Sequence, residues 1–528
     1  MVSPIICFLL IFWYARNVKY ILFWIYFWQL KQYHRGRAWD HLKSEKGKQI
    51  LFGKAQQAKF VLLAAFIIGL FLSLEYQALL ILLLFFVYFA ETLLYFKSIF
   101  AKRVKNPAFT KKTLFLTAVA LLAMAIYPFF IFAVTDIFWY SFLILLFDML
   151  LPAIVSLIVM IFQPLADKWR LDLQKKAKEK IDGLKWKLKI IGITGSYGKT
   201  SAKEFLDVIL SEKFKVLCTK DHQNTEVAIP QVILKELDSE HEVLILEMGA
   251  YDKDTIKRIC DFAQPNIGIV TGVNSQHLAL FGSMENLLSA EGGQELLECL
   301  PKEGFIIVNG ENKYCRDLYK KAKIKKISYS YKDVENIVVG KDFVSFRFQG
   351  EHFRVNGYGK HSILNLLAAI TCAKELGMKT SEIAAAAKII SHKQSPFRMN
   401  KKENGQVIIN ATYSSNPDGA FADLEYLEIY PGKKAIVMPC LIELGDTAKE
   451  VHKQIARKIA EVCDLAIITT PDFYNEMKAE AMLAGMEEEN ILNITDGKII
   501  SEKINSLGAN SAVLLEGRLS GEIIDKLK

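Results

Sequence analysis

The sequence predicts an α-helical transmembrane region followed by α/β domains: a P-loop central domain and a Rossmann-like C-terminal domain. Three observations carry this. Long apolar runs are confined to residues 1–165. A strand, a glycine-rich turn and a helix start follow one another at 189–206. From 188 onward, β-branched runs alternate with helical patterns, as in α/β proteins. A chain of 528 residues has room for about three or four domains. The boundaries expected are 1–165 for the spans, 166–187 for a basic amphipathic linker, 188–398 for the central domain and 399–528 for the C-terminal one.

Apolar runs at about 58–74, 78–96, 113–134 and 137–163 are each near the ~20 residues of a spanning helix. A fifth run, 3–30, is interrupted by Arg16, Asn17 and Lys19, and reads as one long tilted span or two short pieces. About five spans result. Segments 31–59 and 97–112 are rich in Lys and Arg, whereas the loops near Glu75 and Asp136 carry neither. The positive-inside rule then places both basic loops, and everything after 165, in the cytoplasm. The localisation expected is therefore a multi-pass cytoplasmic membrane protein with its N-terminus outside. The net charge of +9 is accounted for by these loops and the linker, which argues against a nucleic-acid partner. Glu91 and Asp148 fall within spans. They are functional candidates there, or polar contacts between helices. The linker 166–187 reads either as a helix lying on anionic headgroups or as a solvated helix. Eight scattered cysteines without a Cys-x-x-Cys pair argue against zinc or a disulfide framework.

The strongest local signal is Lys189–Leu206, KIIGITGSYGKTSAKEFL. Ile190, Ile191 and Ile193 read as a buried strand. Gly195 and Gly198 free backbone N–H groups to face phosphate oxygens, and the helix opened by Lys199, Thr200 and Ser201 adds its positive N-terminal dipole. Ile193 stands where the general pattern has its first glycine, so the string fits a compact form, T-G-x-x-G-K-[ST]. Lys199 is suited to the β/γ-phosphates and Thr200 to Mg²⁺.

The stretch from Thr194 through Ser201 resembles the phosphate loop of the Mur ligases, and the following Ala202-Lys203-Glu204 is most similar to the type that adds D-alanyl-D-alanine. Further strings resemble the family in order over about 188–520. They are His222–Pro230 with Asn224, LILEMGA ending its strand in Glu247, Asn274–Ser283 with His277, and VNGEN with Asn309. Gly359–Ala369 with Asn365, PFRMN with Arg398, Tyr413–Pro417 with Asn416, and Glu443-Leu-Gly445 with His452 complete the series. The resemblance implies ATP binding by Thr194, Gly195, Ser196, Gly198, Lys199, Thr200, Ser201, Asn309, Asn365, Arg398 and Asn416. It implies Mg²⁺ ligands at Thr200, Glu247, His277 and Glu291, with Lys199, His277 and Glu291 in catalytic roles.

Three departures stand out. The family's carbamylated lysine aligns with Glu291, which either supplies the same charge directly or is an exposed helix residue. The Asp before the Tyr-Asn-Ala-Asn-Pro motif is Ala411. The family's UDP-binding N-terminal domain is replaced by membrane spans. The chemistry implied is ATP-dependent activation of a carboxylate to an acyl phosphate, followed by amide formation with an amine. The partners implied are a cell-wall precursor carboxylate, an amino acid or dipeptide amine, and a lipid bilayer. A ligase on a lipid-linked acceptor, a poly-γ-glutamate-type synthetase, and a weakly active ATP-binding membrane scaffold are the other readings.

Overall fold

The computed structural model describes residues 4–527 apart from 32, 34, 44, 101–103, 134, 221–222, 358, 392–397 and 414. The chain divides into two compact units, Met1–Trp169 and Arg170–Lys528.

The first unit is helical: α1 (Pro4–Leu30), α2 (Arg35–Lys43), α3 (Glu45–Phe52), α4 (Lys54–Gly69), α5 (Leu74–Phe100), α6 (Lys111–Phe132) and α7, which runs from Ile137 to Asp182 across the boundary between the units. Among the described residues, four helices (α1, α5, α6 and α7) are long and apolar enough to cross a membrane. The run expected at 58–74 lies in α4, a helix of 16 residues. At 1.5 Å per residue α4 is about 24 Å long, short of the ~30 Å of a hydrocarbon core. A turn through Leu70–Leu72 ends it, and α5 starts at once and packs back on it.

The run 3–30 forms a single helix, and Arg16 does not break it because its charge is met inside the unit. Arg16 Nε lies 3.2 Å from Glu91 Oε2, and its guanidinium also pairs with Asp148. Lys59 completes the group, at 2.6 Å from Glu91 Oε2 and 2.7 Å from Asp148 Oδ2. The Tyr88 hydroxyl donates to Asp148 at 3.3 Å. Two cations and two anions from α1, α4, α5 and α7 thus neutralise one another, so Glu91 and Asp148 are contacts between helices. Lys59, grouped with a basic loop in the sequence, is instead buried within α4. A buried charge of this kind persists only when paired.

In the second unit, the tail of α7 packs through Ala177 and Ile181 into a core shared with Ile229, Val232 and Ile233. Gln174 donates to the Glu226 carbonyl at 3.1 Å and Lys180 to that of Leu234 at 2.9 Å. Neither reading of the linker anticipated this packing of Ala177 and Ile181, while Leu171 and Trp186 stay exposed.

Beyond it, β1 (Lys189–Thr194), β2 (Val216–Cys218), β3 (Val243–Glu247), β4 (Ile267–Val270), β5 (Phe305–Asn309) and β6 (Lys325–Tyr329) form a parallel sheet in the order β2-β3-β1-β4-β5-β6. Its central strands are buried along their length, which explains their unbroken Ile, Val and Leu content. A three-stranded antiparallel sheet follows, β7 (Glu335–Val339), β8 (Phe343–Phe348) and β9 (Glu351–Asn356). The last sheet contains β10 (Arg398–Lys401), β11 (Val407–Ala411), β12 (Lys434–Met438), β13 (Leu465–Ile468), β14 (Ile491–Asn493) and β15 (Ala512–Glu516), in the order β10-β11-β15-β12-β13-β14. Its pairs are parallel except β10 with β11.

Candidate active site

Strand β1 lies between β3 and β4, so chain connections diverge on its two sides. In open α/β sheets the crevice beyond the carboxyl ends of such strands is where ligands bind. The turn 195–198 lies there and leads into α8 (Lys199–Ser211). Two of its glycines are required. Gly195 has φ +140°, and a Cβ there would fall 2.4 Å from Thr271 Oγ1. Gly198 has φ +78°, and a Cβ there would fall 2.5 Å from Asn365 Oδ1. The Ser196 amide donates to the Gly272 carbonyl at 2.7 Å. The Lys199 ammonium curls back on the Gly195 and Ser196 carbonyls, within the turn itself. Thr200 and Ser201 stand in the first turn of α8.

The next strand ends bring the carboxylates. Glu247 closes β3 opposite Ile193. Asn224 donates to Glu247 Oε1 at 2.9 Å, and Lys203 Nζ lies 3.5 Å from Oε2. Beyond β4, Asn309 donates to the Thr271 carbonyl at 2.8 Å and so holds the start of the loop that carries His277. His277 Nδ1 lies 2.9 Å from Glu291 Oε1, while the Ser196 hydroxyl donates to Glu291 Oε2 at 2.8 Å. Glu291 follows a short helix, Met284–Ala290, and is 2% exposed, so it is not a solvated helix residue. Burial pushes its carboxyl up, but His277, Lys199 and the Ser196 hydroxyl outweigh burial and hold it below the ordinary range.

The last sheet reaches the same crevice. Asn416 caps the helix Pro417–Glu428 by accepting from the Gly419 amide at 2.9 Å. Asn274 donates to Asn416 Oδ1 at 3.2 Å and to Asp418 Oδ2 at 2.6 Å. Glu443 Oε2 stands 3.7 Å from His277 Nε2. Asp418 and Thr271 were not singled out, and Asn274 entered only as the start of the motif that carries His277, because nothing local in the sequence marks a contact between loops this far apart. Ser196, Lys199, His277 and Glu291 come together directly, Glu247 sits with Asn224 and Lys203, and Asn416 joins through Asn274. Arg398 begins β10, but its side chain and His222 lie outside the described residues. Ala411 pairs with Glu516 across β11 and β15.

The donor chemistry fits a nucleotide phosphate with a hard cation. Two glycine positions without room for a side chain face a helix N-terminus, and the buried Thr194 hydroxyl has no partner among the described residues. Among the described residues no three His, Cys, Asp or Glu are gathered as a metal cage. Mg²⁺ characteristically takes only one or two carboxylates and completes its shell with water and substrate phosphates.

These features define an α/β protein with a glycine turn at the switch point of a parallel sheet and a second sheet domain contributing to the crevice. Residues 193–373 match the model of the Mur ligase middle domain, and 397–519 that of the Mur ligase, glutamate ligase domain; the chain belongs to the Mur ligase family. It is 30% identical over 314 residues to the UDP-N-acetylmuramoyl-tripeptide--D-alanyl-D-alanine ligase of Synechocystis, covering 58% of this chain and 66% of that one. With the enzyme of the same name from Bacillus subtilis it shares 25% identity over 339 residues, 62% of this chain and 72% of that one. The chain thus spans about two thirds of the length of these relatives. In fold it is similar to MurF from Acinetobacter baumannii, with a TM-score of 0.61 at 23% identity over 68% of this chain and 80% of that one. It is likewise similar to MurF from Thermotoga maritima in complex with ADP, with a TM-score of 0.57 at 24% identity over 68% and 82%.

Proposed function

We propose that this chain is a membrane-anchored, ATP-dependent amide ligase of the MurF type, working on a cell-wall precursor. The observation that carries the proposal is the Ser196–Glu291–His277 group set directly beside the glycine turn and Lys199. In this reading 1–165 is the transmembrane region, 166–187 the linker, 188–398 the ATP-binding P-loop domain and 399–528 a Rossmann-like domain. Thr194, Gly195, Ser196, Gly198, Lys199, Thr200 and Ser201 hold the phosphates of ATP, and Asn309, Asn365, Arg398 and Asn416 frame the nucleotide. Thr200, Glu247, His277 and Glu291 hold Mg²⁺, which supplies charge neutralisation for the transferring phosphoryl group when bound.

The substrate carboxylate takes the γ-phosphoryl group of ATP, and the amine then displaces phosphate as the amide forms. Lys199 neutralises phosphate charge from a fixed position, and His277 is oriented by Glu291. The contact of Asn274 with Asn416 and Asp418 closes the second domain over the crevice, which excludes the water that would hydrolyse an acyl phosphate. The test is ADP release from ATP with D-alanyl-D-alanine and a muramoyl-tripeptide acceptor, UDP-linked in one series and lipid-linked in the other. Release in neither series would leave an ATP-binding scaffold. The lipid-linked reading is favoured by the first unit, because the family match begins at 193 and apolar helices precede it.

Membrane anchoring has its own test. With α4 and α5 crossing as a tight hairpin, reporters fused after 45, 105 or 180 read cytoplasmic, and those near 76 or 136 read external. A cytoplasmic reading at 76 would show that α4 does not cross.

Glu291→Gln is expected to raise the Mg²⁺ concentration required for activity by about ten- to a hundredfold while changing the KM for ATP little, and wild-type activity is expected to be independent of bicarbonate. Titration of Mg²⁺ at saturating ATP checks both. An unchanged Mg²⁺ requirement would remove Glu291 from the metal site.

A further inference from the structure

The Glu443-Leu-Gly445…His452 motif has no role in the chemistry above, yet the structure holds it with care. Imidazole His452 is buried, stacked on Phe473 at 4.5 Å between ring centroids, and committed at both nitrogens. Its Nε2 accepts from the Leu441 amide at 2.8 Å, and its Nδ1 donates to the Ala448 carbonyl at 2.6 Å. The loop fixed in this way carries Glu443 in a left-handed conformation, φ +69°, which a residue with a Cβ rarely adopts. His277, across the crevice, is left-handed too, at φ +66°. The two loops are tied where they meet: the Ala279 amide donates to the Glu443 carbonyl at 3.1 Å.

This geometry delivers the carboxylate of Glu443, itself mostly buried, from the C-terminal domain into the crevice beside His277. The 3.7 Å separation from Nε2 is longer than a direct hydrogen bond. The imidazole already has Glu291 at its other nitrogen, so a second carboxylate exceeds what orienting His277 needs. Of the reactants of an amide ligase, ATP and the substrate carboxylate are anions, which Glu443 repels. The amine arrives as an ammonium ion. Resting on the ligase reading above, we infer that Glu443 is the binding residue for the ammonium group of the incoming amino acid or dipeptide, and that it is placed to hold that nitrogen beside the acyl group formed at the neighbouring phosphate turn. Its selectivity is for a cationic primary amine over a neutral nucleophile; the bound ammonium releases one proton to water before its lone pair attacks the acyl carbon, and a second proton leaves with phosphate as the amide forms.

Hydroxylamine provides the test, because it is neutral near pH 7 and captures an acyl phosphate as a hydroxamate. Its nitrogen bonds to the acyl carbon, the carbon–oxygen bond to phosphate breaks, and phosphate and a proton leave. Full-length enzyme in detergent is given ATP, Mg²⁺, the muramoyl-tripeptide in its UDP-linked or lipid-linked form, and either D-alanyl-D-alanine or hydroxylamine. Glu443→Gln is expected to raise the KM for D-alanyl-D-alanine at least tenfold, with kcat at saturation and the rate of hydroxamate formation both within about threefold of wild type. Glu443→Asp is expected to fall between the two. Parallel loss of hydroxamate and amide in Glu443→Gln would assign the residue to His277 or the metal and overturn the inference, as would an unchanged KM for the dipeptide. Absence of both ADP and hydroxamate from the wild type with the UDP-linked and the lipid-linked tripeptide alike would overturn the ligase reading, and this inference with it.

Discussion

Lys199→Ala is expected to lower ATP-dependent ligation by about a hundred- to a thousandfold, equivalent to about 3–4 kcal/mol of transition-state stabilisation. Lys199 opens α8 at the glycine turn, and its ammonium bonds only to backbone carbonyls of that turn among its described partners. It therefore supports little of the fold, and thermal unfolding of the variant is expected to match wild type. Steady-state ADP release separates the two effects. Near-normal turnover would rule out this turn as the seat of the chemistry.

The second large effect is on stability. Asp148→Ala leaves Arg16 and Lys59 buried with Glu91 as their one remaining acidic partner among the described residues. Removing one partner of a buried ion pair costs about 3–5 kcal/mol, because the charges left behind stay out of water. The Asp148 side chain is 0% exposed, so solvent screening gives no relief. Unfolding in detergent should move to markedly lower temperature. A paired change, Lys59→Met with Asp148→Leu, removes one charge of each sign and leaves the Arg16–Glu91 contact at 3.2 Å. It is expected to recover most of the loss, since apolar replacement of a whole buried pair is often neutral. Equal destabilisation by the single and double variants would mean that shape, not charge, governs this cluster.

Some of this was legible in the sequence and some was not. Strands at 407–411, 434–438 and 512–516 were readable because buried parallel strands are continuous runs of β-branched and aliphatic residues. The tight turn at 195–198 between β1 and α8 was readable because its two glycines take positive φ where a side chain has no room. The antiparallel strands β7–β9 were not, since β7 exposes Val338 beside polar residues and a register shift between Glu335 and Val338 blurs the alternation. The partners of Glu91 and Asp148 were hidden for another reason. Arg16 looks like an interruption of its own helix until three other helices bring their charges to it. Likewise, Glu291 is separated from Ser196 by 95 positions and from His277 by 14, so its burial is a tertiary fact.

In the metal-binding role proposed for it, the Glu291 carboxylate has a consequence for how the site keeps its charge. A carbamate on lysine forms from dissolved carbon dioxide and is lost again when the gas is removed, so a site built on it ages with desalting, degassing and dilution. Glu291 is written in the gene and is present as soon as the chain is translated. Preparations of this protein should keep one specific activity through gel filtration into degassed buffer, and cells starved of inorganic carbon should make it fully charged.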